Sequence, residues 1–207
     1  MQRLLLTLLT VTSVTLLATP TLGAGWIWDI GNGLGFVAFA GLLYLSKFGG
    51  CGENVSAHQL LGFTVLGVTT AHVYWFLLFD AVVMAHIKAG GSVYMWMGIL
   101  GFVLLAMLIF ISLPERRIYV HKSYAVFKYG HRVLALATIM GAGYHIVASG
   151  FYLNTSYQVV FFLILVAAAL SSTQYQGSDL TPQTSWMFLV AGTLCVVSFA
   201  GIRNISF

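Results

Sequence analysis

Four histidines have a regular spacing that suits metal ligation. His58 and His72 are fourteen residues apart in one apolar segment, and His131 and His145 repeat that spacing in a later one. Fourteen helical residues turn through about 1400°, some 40° short of four full turns, and rise roughly 21 Å, so each pair shares a helix face at two depths. Two such helices packed side by side would place His58 opposite His131 and His72 opposite His145. The spacing therefore predicts two stacked bis-histidine sites.

The apolar surroundings of these histidines indicate which cofactor they would bind. Placing an imidazole inside a membrane costs free energy unless the ring has a partner, so a histidine in a membrane segment is a candidate functional residue. A lone histidine on an apolar helix more often hydrogen-bonds to a neighbouring helix, but that role explains two equally spaced pairs poorly. Haem takes two axial imidazoles in an apolar slot, whereas a structural zinc ion normally needs four ligands and each depth supplies two. We therefore expect haem iron at both depths.

The composition predicts an all-α integral membrane bundle that forms a single domain. Of the 207 residues, 59% are hydrophobic and only 7% are charged, which excludes a sizeable soluble domain. The net charge of +4 could indicate nucleic-acid binding, but the positive charges cluster where membrane topology requires them. Cys51 and Cys195 are far apart and form no CxxCH motif, so a haem would be held non-covalently.

Apolar segments predict six transmembrane helices after an N-terminal signal peptide. Residues 1–24 have a short basic start, an apolar run and small residues before a cleavage site near Gly23 or Ala24. An uncleaved first helix, which would give seven spans, is the alternative. The mature domain would then be 25–207. The predicted spans are 26–46, 58–79, 92–113, 128–150, 157–172 and 186–202, with an amphipathic surface stretch after the second.

The basic loop 114–130 predicts the orientation in the membrane. It holds four Lys and Arg residues and a single acid, and placing it in the cytoplasm puts seven of the nine Lys and Arg residues inside. The mature N-terminus and the C-terminus would then lie outside, and we expect a bacterial inner (plasma) membrane. Arg117, Lys128 and Arg132 are candidates to pair with the propionates of an inner haem.

One set of residues joins the basic loop to the histidines: Pro114, Arg116, Arg117, Tyr119, Phe127, His131 and His145, together with His58 and His72 upstream. This set resembles the ferric reductase-like transmembrane domain. That domain is the membrane part of NADPH oxidases, ferric reductases and the haem subunit of the methionine sulfoxide reductase system. The resemblance covers approximately residues 30–173, leaving an extra C-terminal helix at about 185–203. It implies two haem b groups and one-electron transfer across the membrane, with His58 and His131 on the inner haem and His72 and His145 on the outer one.

The resemblance also implies partners. Oxidases and ferric reductases of this family carry a flavin and nicotinamide module after the equivalent of the fifth span, whereas here 171–183 leads into another membrane helix. We therefore expect an electron conduit with a separate donor, a flavoprotein or a quinol, and a separate acceptor on the opposite face, either alone or within a larger membrane complex. Because bis-histidine haems have no open axial position, we expect no catalytic residue at the iron.

Two other functions remain open from the sequence. A quinol-oxidising subunit similar to cytochrome b also has histidine pairs about fourteen residues apart, although no quinone-site motif is evident. A haem-free transporter or assembly subunit could use the histidines for metal or proton passage. That function predicts acidic residues near them, but none of the five acids lies within the histidine-bearing turns.

Small and hydroxyl residues near the histidines carry further predictions. The GNGLG run at 31–35 follows no strand, so close approach of a helix or a haem explains it better than nucleotide binding. Thr69 and Ser149 are each one turn from a histidine and are candidates to hydrogen-bond its second ring nitrogen. The glycines expected to leave room on helix faces are Gly62, Gly67, Gly98 and Gly101.

Overall fold

The computed structural model describes residues 7, 8, 10, 11, 25–47, 55–113, 123–171 and 180–204. Every regular element in these ranges is an α-helix, so the predicted all-α bundle is confirmed. Five of the helices are long and apolar enough to cross a membrane, namely α1, α2, α4, α5 and α7. The helices are α1 Trp26–Lys47, α2 Val55–Phe79, α3 Ala81–His86, α4 Val93–Ser112, α5 Tyr124–Ser149, α6 Ser156–Ser171 and α7 Pro182–Asn204.

The remaining two helices are shorter. Helix α6 is a largely apolar helix of 16 residues, which spans about 24 Å and falls short of a hydrocarbon core roughly 30 Å thick. The count of six spans therefore stays a prediction. Helix α3 occupies the predicted surface stretch, and the Asp80 carboxylate caps it by accepting a hydrogen bond of 2.9 Å from the Val82 amide.

Several predictions fall wholly or partly outside the described residues. Arg117 and the rest of 114–122 lie outside them, as does Cys51. Most of the predicted signal peptide also lies outside, but Leu8 and Val11 are described and are buried in the hydrophobic core.

Helix α1 is the centre of the bundle. Its apolar run from Phe36 to Tyr44 is buried, and it packs against α2, α5, α6 and α7. Helix α4 packs mainly on α5 instead. Glycines allow these close approaches, since a Cβ on Gly41 would lie 2.6 Å from Val65 of α2, and one on Gly141 of α5 would lie 3.3 Å from the carbonyl oxygen of Met97 of α4. The extra C-terminal helix α7 is thus part of the core that surrounds α1.

Helix α5 carries two of the four histidines on one unbroken helix. The Ser123 hydroxyl caps its start by accepting a hydrogen bond of 3.3 Å from the Val126 amide. Gly150 ends it with φ of 65°, a left-handed conformation that glycine adopts without strain. Because nothing interrupts the helix between these caps, His131 and His145 keep the fixed spacing that the sequence predicts.

A buried polar network joins α1, α7 and the loop between α5 and α6. The Asp29 carboxylate accepts hydrogen bonds from the Tyr152 hydroxyl at 2.8 Å, from Arg203 Nε at 3.0 Å and from Asn204 Nδ2 at 2.8 Å. Burial, reinforced by the Asp29 carboxylate, raises the pKa of Tyr152 far above its usual range, so the phenol stays protonated and donates. We call this part of the bundle the Asp29 end and the opposite part, where α4 finishes, the Ser112 end.

Candidate functional site

At the Ser112 end, the imidazoles of His58 and His131 face each other. Their ring centroids are 6.2 Å apart with an interplanar angle of 52°. Metal–imidazole bonds of about 2 Å place the centroids of two opposed rings roughly 6 Å apart. The separation between these two imidazoles would therefore allow both rings to bind one metal ion.

At the Asp29 end, His72 of α2 and His145 of α5 each hydrogen-bond to a backbone carbonyl of a neighbouring helix. The ring nitrogen Nδ1 of His72 lies 2.7 Å from the Gly31 carbonyl oxygen, and that of His145 lies 2.8 Å from the Tyr94 carbonyl oxygen. A carbonyl can only accept, so the proton of each imidazole is on Nδ1. The Nε2 lone pair of both rings is left for a metal, and a backbone acceptor of this kind is typical behind a metal-bound histidine.

The tautomer of His131 follows from the partners of Ser112. The Ser112 hydroxyl donates to the Leu108 carbonyl oxygen at 2.6 Å and lies 3.0 Å from Nδ1 of His131. Since a hydroxyl has one proton and it is already used, Ser112 accepts from the His131 Nδ1–H. Gln59 also reaches this point, because its Nε2 donates to the Ser112 carbonyl at 3.2 Å. The lone pair of the His131 imidazole is therefore on Nε2, as in His72 and His145.

The two histidine-bearing helices are not packed side by side, and in this respect the sequence-based expectation is wrong. Helix α2 packs on α1 and α7, and α5 packs chiefly on α4, whereas α2 and α5 are not among the closely packed pairs. Helices in direct contact lie 8–10 Å apart between axes, which leaves too little room for two imidazoles with a metal between them. The space between α2 and α5 is bridged by histidine side chains rather than by helix packing.

Glycines on the flanking helices make room for the histidines of the Asp29 end. A Cβ on Gly35 of α1 would lie 2.8 Å from Cε1 of His72, and a Cβ on Gly98 of α4 would lie 2.8 Å from Nδ1 of His145. A larger residue at either position would occupy the place of the imidazole. The GNGLG run therefore serves close approach, as predicted, with Gly31 supplying the hydrogen-bond acceptor and Gly35 the space.

The helix faces between the histidines carry small side chains. At helical spacing, Gly62, Val65 and Thr69 lie between His58 and His72, while Ala135, Thr138 and Ala142 lie between His131 and His145. No atom lies within 4 Å of a Cβ built on Gly62. Unlike a four-ligand zinc site, this arrangement offers two imidazoles at each depth, and no group of three or more His, Cys, Asp or Glu residues that could hold a metal occurs within the described ranges. These features fit haem.

The predicted roles of the basic and hydroxyl residues have mixed outcomes. Lys128 and Arg132 are exposed on the first turns of α5 near His131, so their pairing with propionates stays a prediction, as does that of Arg117.

Thr69 and Ser149 do not reach the histidines, because they bond to the carbonyls of Val65 and Ile146 in their own helices, both at 2.8 Å. The actual partners, Gly31, Tyr94 and Ser112, belong to neighbouring helices and were not predicted.

Comparison with known proteins gives one match. The family model described as "Ferric reductase like transmembrane component" matches residues 33–142, which is just over half of the chain. The match includes His58, His72 and His131, and His145 lies three residues beyond its end. Searches of curated proteins and of solved structures each found no match.

Proposed function

Because the chain belongs to the ferric reductase-like transmembrane family, we propose that this integral membrane protein transfers electrons across the bilayer through two haem b groups. His58 and His131 would ligate one haem, and His72 and His145 the other. The coarser function, transmembrane electron transfer, is the one to which the family points. The number of haems and their ligands are our proposal.

The observation that carries this proposal is the hydrogen bonding of the histidines. His72, His131 and His145 each donate Nδ1–H to an acceptor on a neighbouring helix, which orients the ring and leaves Nε2 as a ligand. A histidine that served only to link helices would need no such common orientation. The 6.2 Å separation of the His58 and His131 rings supports the same conclusion.

The residues of this chain would bind, orient and insulate the haems. Haem, when bound, supplies a metal that changes its oxidation state by one electron. The four histidines would hold the haem irons, and because two imidazoles would bind each iron, the chain would keep substrate away from the metal. The two proposed haem sites are roughly 21 Å apart along the helices, so an electron would cross the membrane in shorter steps than its full thickness. Lys128 and Arg132, with Arg117, would neutralise propionates at the Ser112 end.

The orientation and the partners are also part of the proposal. The Ser112 end adjoins the basic loop 114–122 and would face the cytoplasm of a bacterium, with the Asp29 end outside the inner membrane. A separate flavoprotein or a quinol would donate electrons, and a separate acceptor would take them at the opposite face. This assignment rests on the distribution of Lys and Arg along the chain.

Haem quantification tests the proposed function directly. We expect the purified protein to show a b-type reduced-minus-oxidised spectrum and two haems per chain by the pyridine haemochrome assay. His72→Ala and His131→Ala should each retain about one haem, because each removes one ligand of a different pair. His86→Ala is the matched control, since His86 ends the short helix α3 and should leave both haems bound. A colourless wild-type protein that is folded would contradict the proposal and favour a haem-free transporter or assembly subunit.

A further inference from the structure

Aromatic rings form a continuous arc at the Asp29 end between the two histidines of that end. The members of the arc come from α1, α2, α4, α5 and the loop that follows α5. Neighbouring rings meet mostly edge to face, the geometry that aromatic pairs prefer. The arc runs in order through His72, Phe76, Trp28, Phe151, Tyr94 and His145, with successive ring centroids 5.4, 5.2, 5.3, 6.3 and 6.2 Å apart.

The arc connects α2 to α5 where the two helices do not pack against each other. Trp28 is its midpoint, because its indole contacts Phe76 of α2 on one side and Phe151 of the α5–α6 loop on the other, at interplanar angles of 70° and 87°. Trp28 therefore lies across the space between the helices rather than on an outer face of the bundle. The arc closes the Asp29 end of that space with apolar rings.

Trp28 has a buried polar atom that the fold does not use. Its Nε1–H is buried and has no hydrogen-bond partner among the described residues. The hydroxyl of Ser92, which precedes α4 two residues before Tyr94, is likewise buried without a partner there and does not cap its helix. By contrast, Trp75 at the same end donates its Nε1–H to the Ile27 carbonyl at 2.7 Å. Buried donors are nearly always satisfied, so two unused donors beside one arc point to an acceptor that belongs to a ligand.

We infer that Trp28 Nε1–H and the Ser92 hydroxyl form a carboxylate-binding subsite for a propionate of the haem held by His72 and His145. The inference rests on the proposed function. A carboxylate taken out of water needs hydrogen-bond donors. The buried cation Arg203 is already paired with Asp29, so neutral donors would meet this need at the Asp29 end. The two ends of the bundle would thus hold propionates differently, with exposed cations at the Ser112 end and buried neutral donors at the Asp29 end.

Trp28→Phe tests the subsite, because it keeps an aromatic side chain and removes the N–H, and Trp75→Phe controls for the smaller size of the phenyl ring. We expect the variant to retain two haems, to lower the midpoint potential of one haem and to shift a propionate mode in the resonance Raman spectrum. The potential falls because a carboxylate without its donor exerts more negative charge on the iron and favours the ferric state. Trp75→Phe is the matched control and should leave both potentials unchanged, since its N–H is already used by the Ile27 carbonyl.

The outcomes separate this inference from the proposed function. Two haems in the wild type, with both midpoints and the Raman spectrum unchanged in Trp28→Phe, would overturn the subsite and leave the proposed function intact. A wild-type protein without haem would overturn both. If Trp28→Phe does not fold, Ser92→Ala provides the same test, because Ser92 occupies the N-cap position of α4 without a side-chain capping bond and its hydroxyl contributes no hydrogen bond to the described fold. An unchanged potential in Ser92→Ala would then remove the subsite.

Discussion

Gly35 of α1 lies so close to His72 of α2 that a Cβ at position 35 would be 2.8 Å from Cε1 of the imidazole and 3.0 Å from Nδ1. Real Cβ atoms essentially never make the first of these contacts. Gly98 of α4 has the same relationship to His145. Both histidines of the Asp29 end therefore depend on a glycine of a different helix for the position of the ring.

Gly35→Ala should displace the His72 ring and reduce haem content from two per chain to about one. The methyl group has no other place, because α1 is packed on several sides. The pyridine haemochrome assay measures the loss. Gly67→Ala is the control, since no atom lies within 4 Å of a Cβ there and alanine favours a helix by roughly 1 kcal/mol over glycine. Two haems in Gly35→Ala would contradict the assigned position of the His72 ring.

The sequence predicts the helices and the approach of His58 to His131, for physical reasons. Apolar segments of about twenty residues cross a membrane, and a spacing of fourteen residues fixes a helix face, so His58 meets His131 as expected. Contacts between helices could not be predicted. The partners of the histidines, Gly31, Tyr94 and Ser112, are 41, 51 and 19 residues away along the chain. A local sequence pattern cannot indicate contacts over such separations, so the sequence favours the nearby residues Thr69 and Ser149 instead.

One signal in the sequence could have found some of these partners. Glycine leaves the helix surface and its carbonyl groups unobstructed. Gly31 and Gly35 contact side chains of α2, and Gly98 contacts His145. The sequence indicates the Asp29 network more weakly. Its only sign is that Asp29 and Arg203, 174 residues apart, each lie in an apolar segment. A buried charge in such segments requires a partner, but only the fold shows which one.

Ser112→Ala should change the properties of the haem on His58 and His131 alone. The substitution leaves the His131 Nδ1–H without its acceptor, which makes the imidazole a less basic ligand and should raise the midpoint potential of that haem. Loss of such a partner typically weakens metal binding by about 10–100-fold. Spectroelectrochemical titration measures the potential, and haem retention during dilution measures the affinity.

Ser149→Ala is the matched control for Ser112→Ala. Ser149 also sits near a histidine, but its hydroxyl bonds to the Ile146 carbonyl of its own helix. It should leave both potentials unchanged. Equal shifts in the two variants would indicate a general effect of losing a membrane hydroxyl and would argue against the role of Ser112.

Asp29→Asn should destabilise the bundle strongly. Asp29 and Arg203 form an ion pair whose side chains are only 4–5% exposed, and the substitution leaves the arginine charge buried without its counterion. Breaking a buried pair in this way costs about 3–5 kcal/mol. Chemical unfolding in detergent micelles measures the change in the free energy of unfolding.

Two further variants distinguish the buried ion pair from a general sensitivity to losing an acid. Asp80→Asn should change stability little, because Asp80 caps the exposed helix α3 and asparagine caps helices about as well. Replacing both members, as Asp29→Leu with Arg203→Met, should recover much of the loss, since no unpaired charge remains buried. A double variant as unstable as Asp29→Asn would show that the Tyr152 and Asn204 bonds to Asp29 matter more than the ion pair.

Cysteine labelling in intact cells tests the proposed orientation. In a background without Cys51 and Cys195, Ala89→Cys, in the exposed loop after α3, should react with a membrane-impermeant maleimide added outside. Tyr124→Cys, where the tyrosine is 61% exposed at the start of α5, should react only after the membrane is permeabilised, because it lies beside the basic loop that the positive charges hold in the cytoplasm. The reverse pattern would place the Ser112 end outside and would require the electron donor and acceptor to exchange sides.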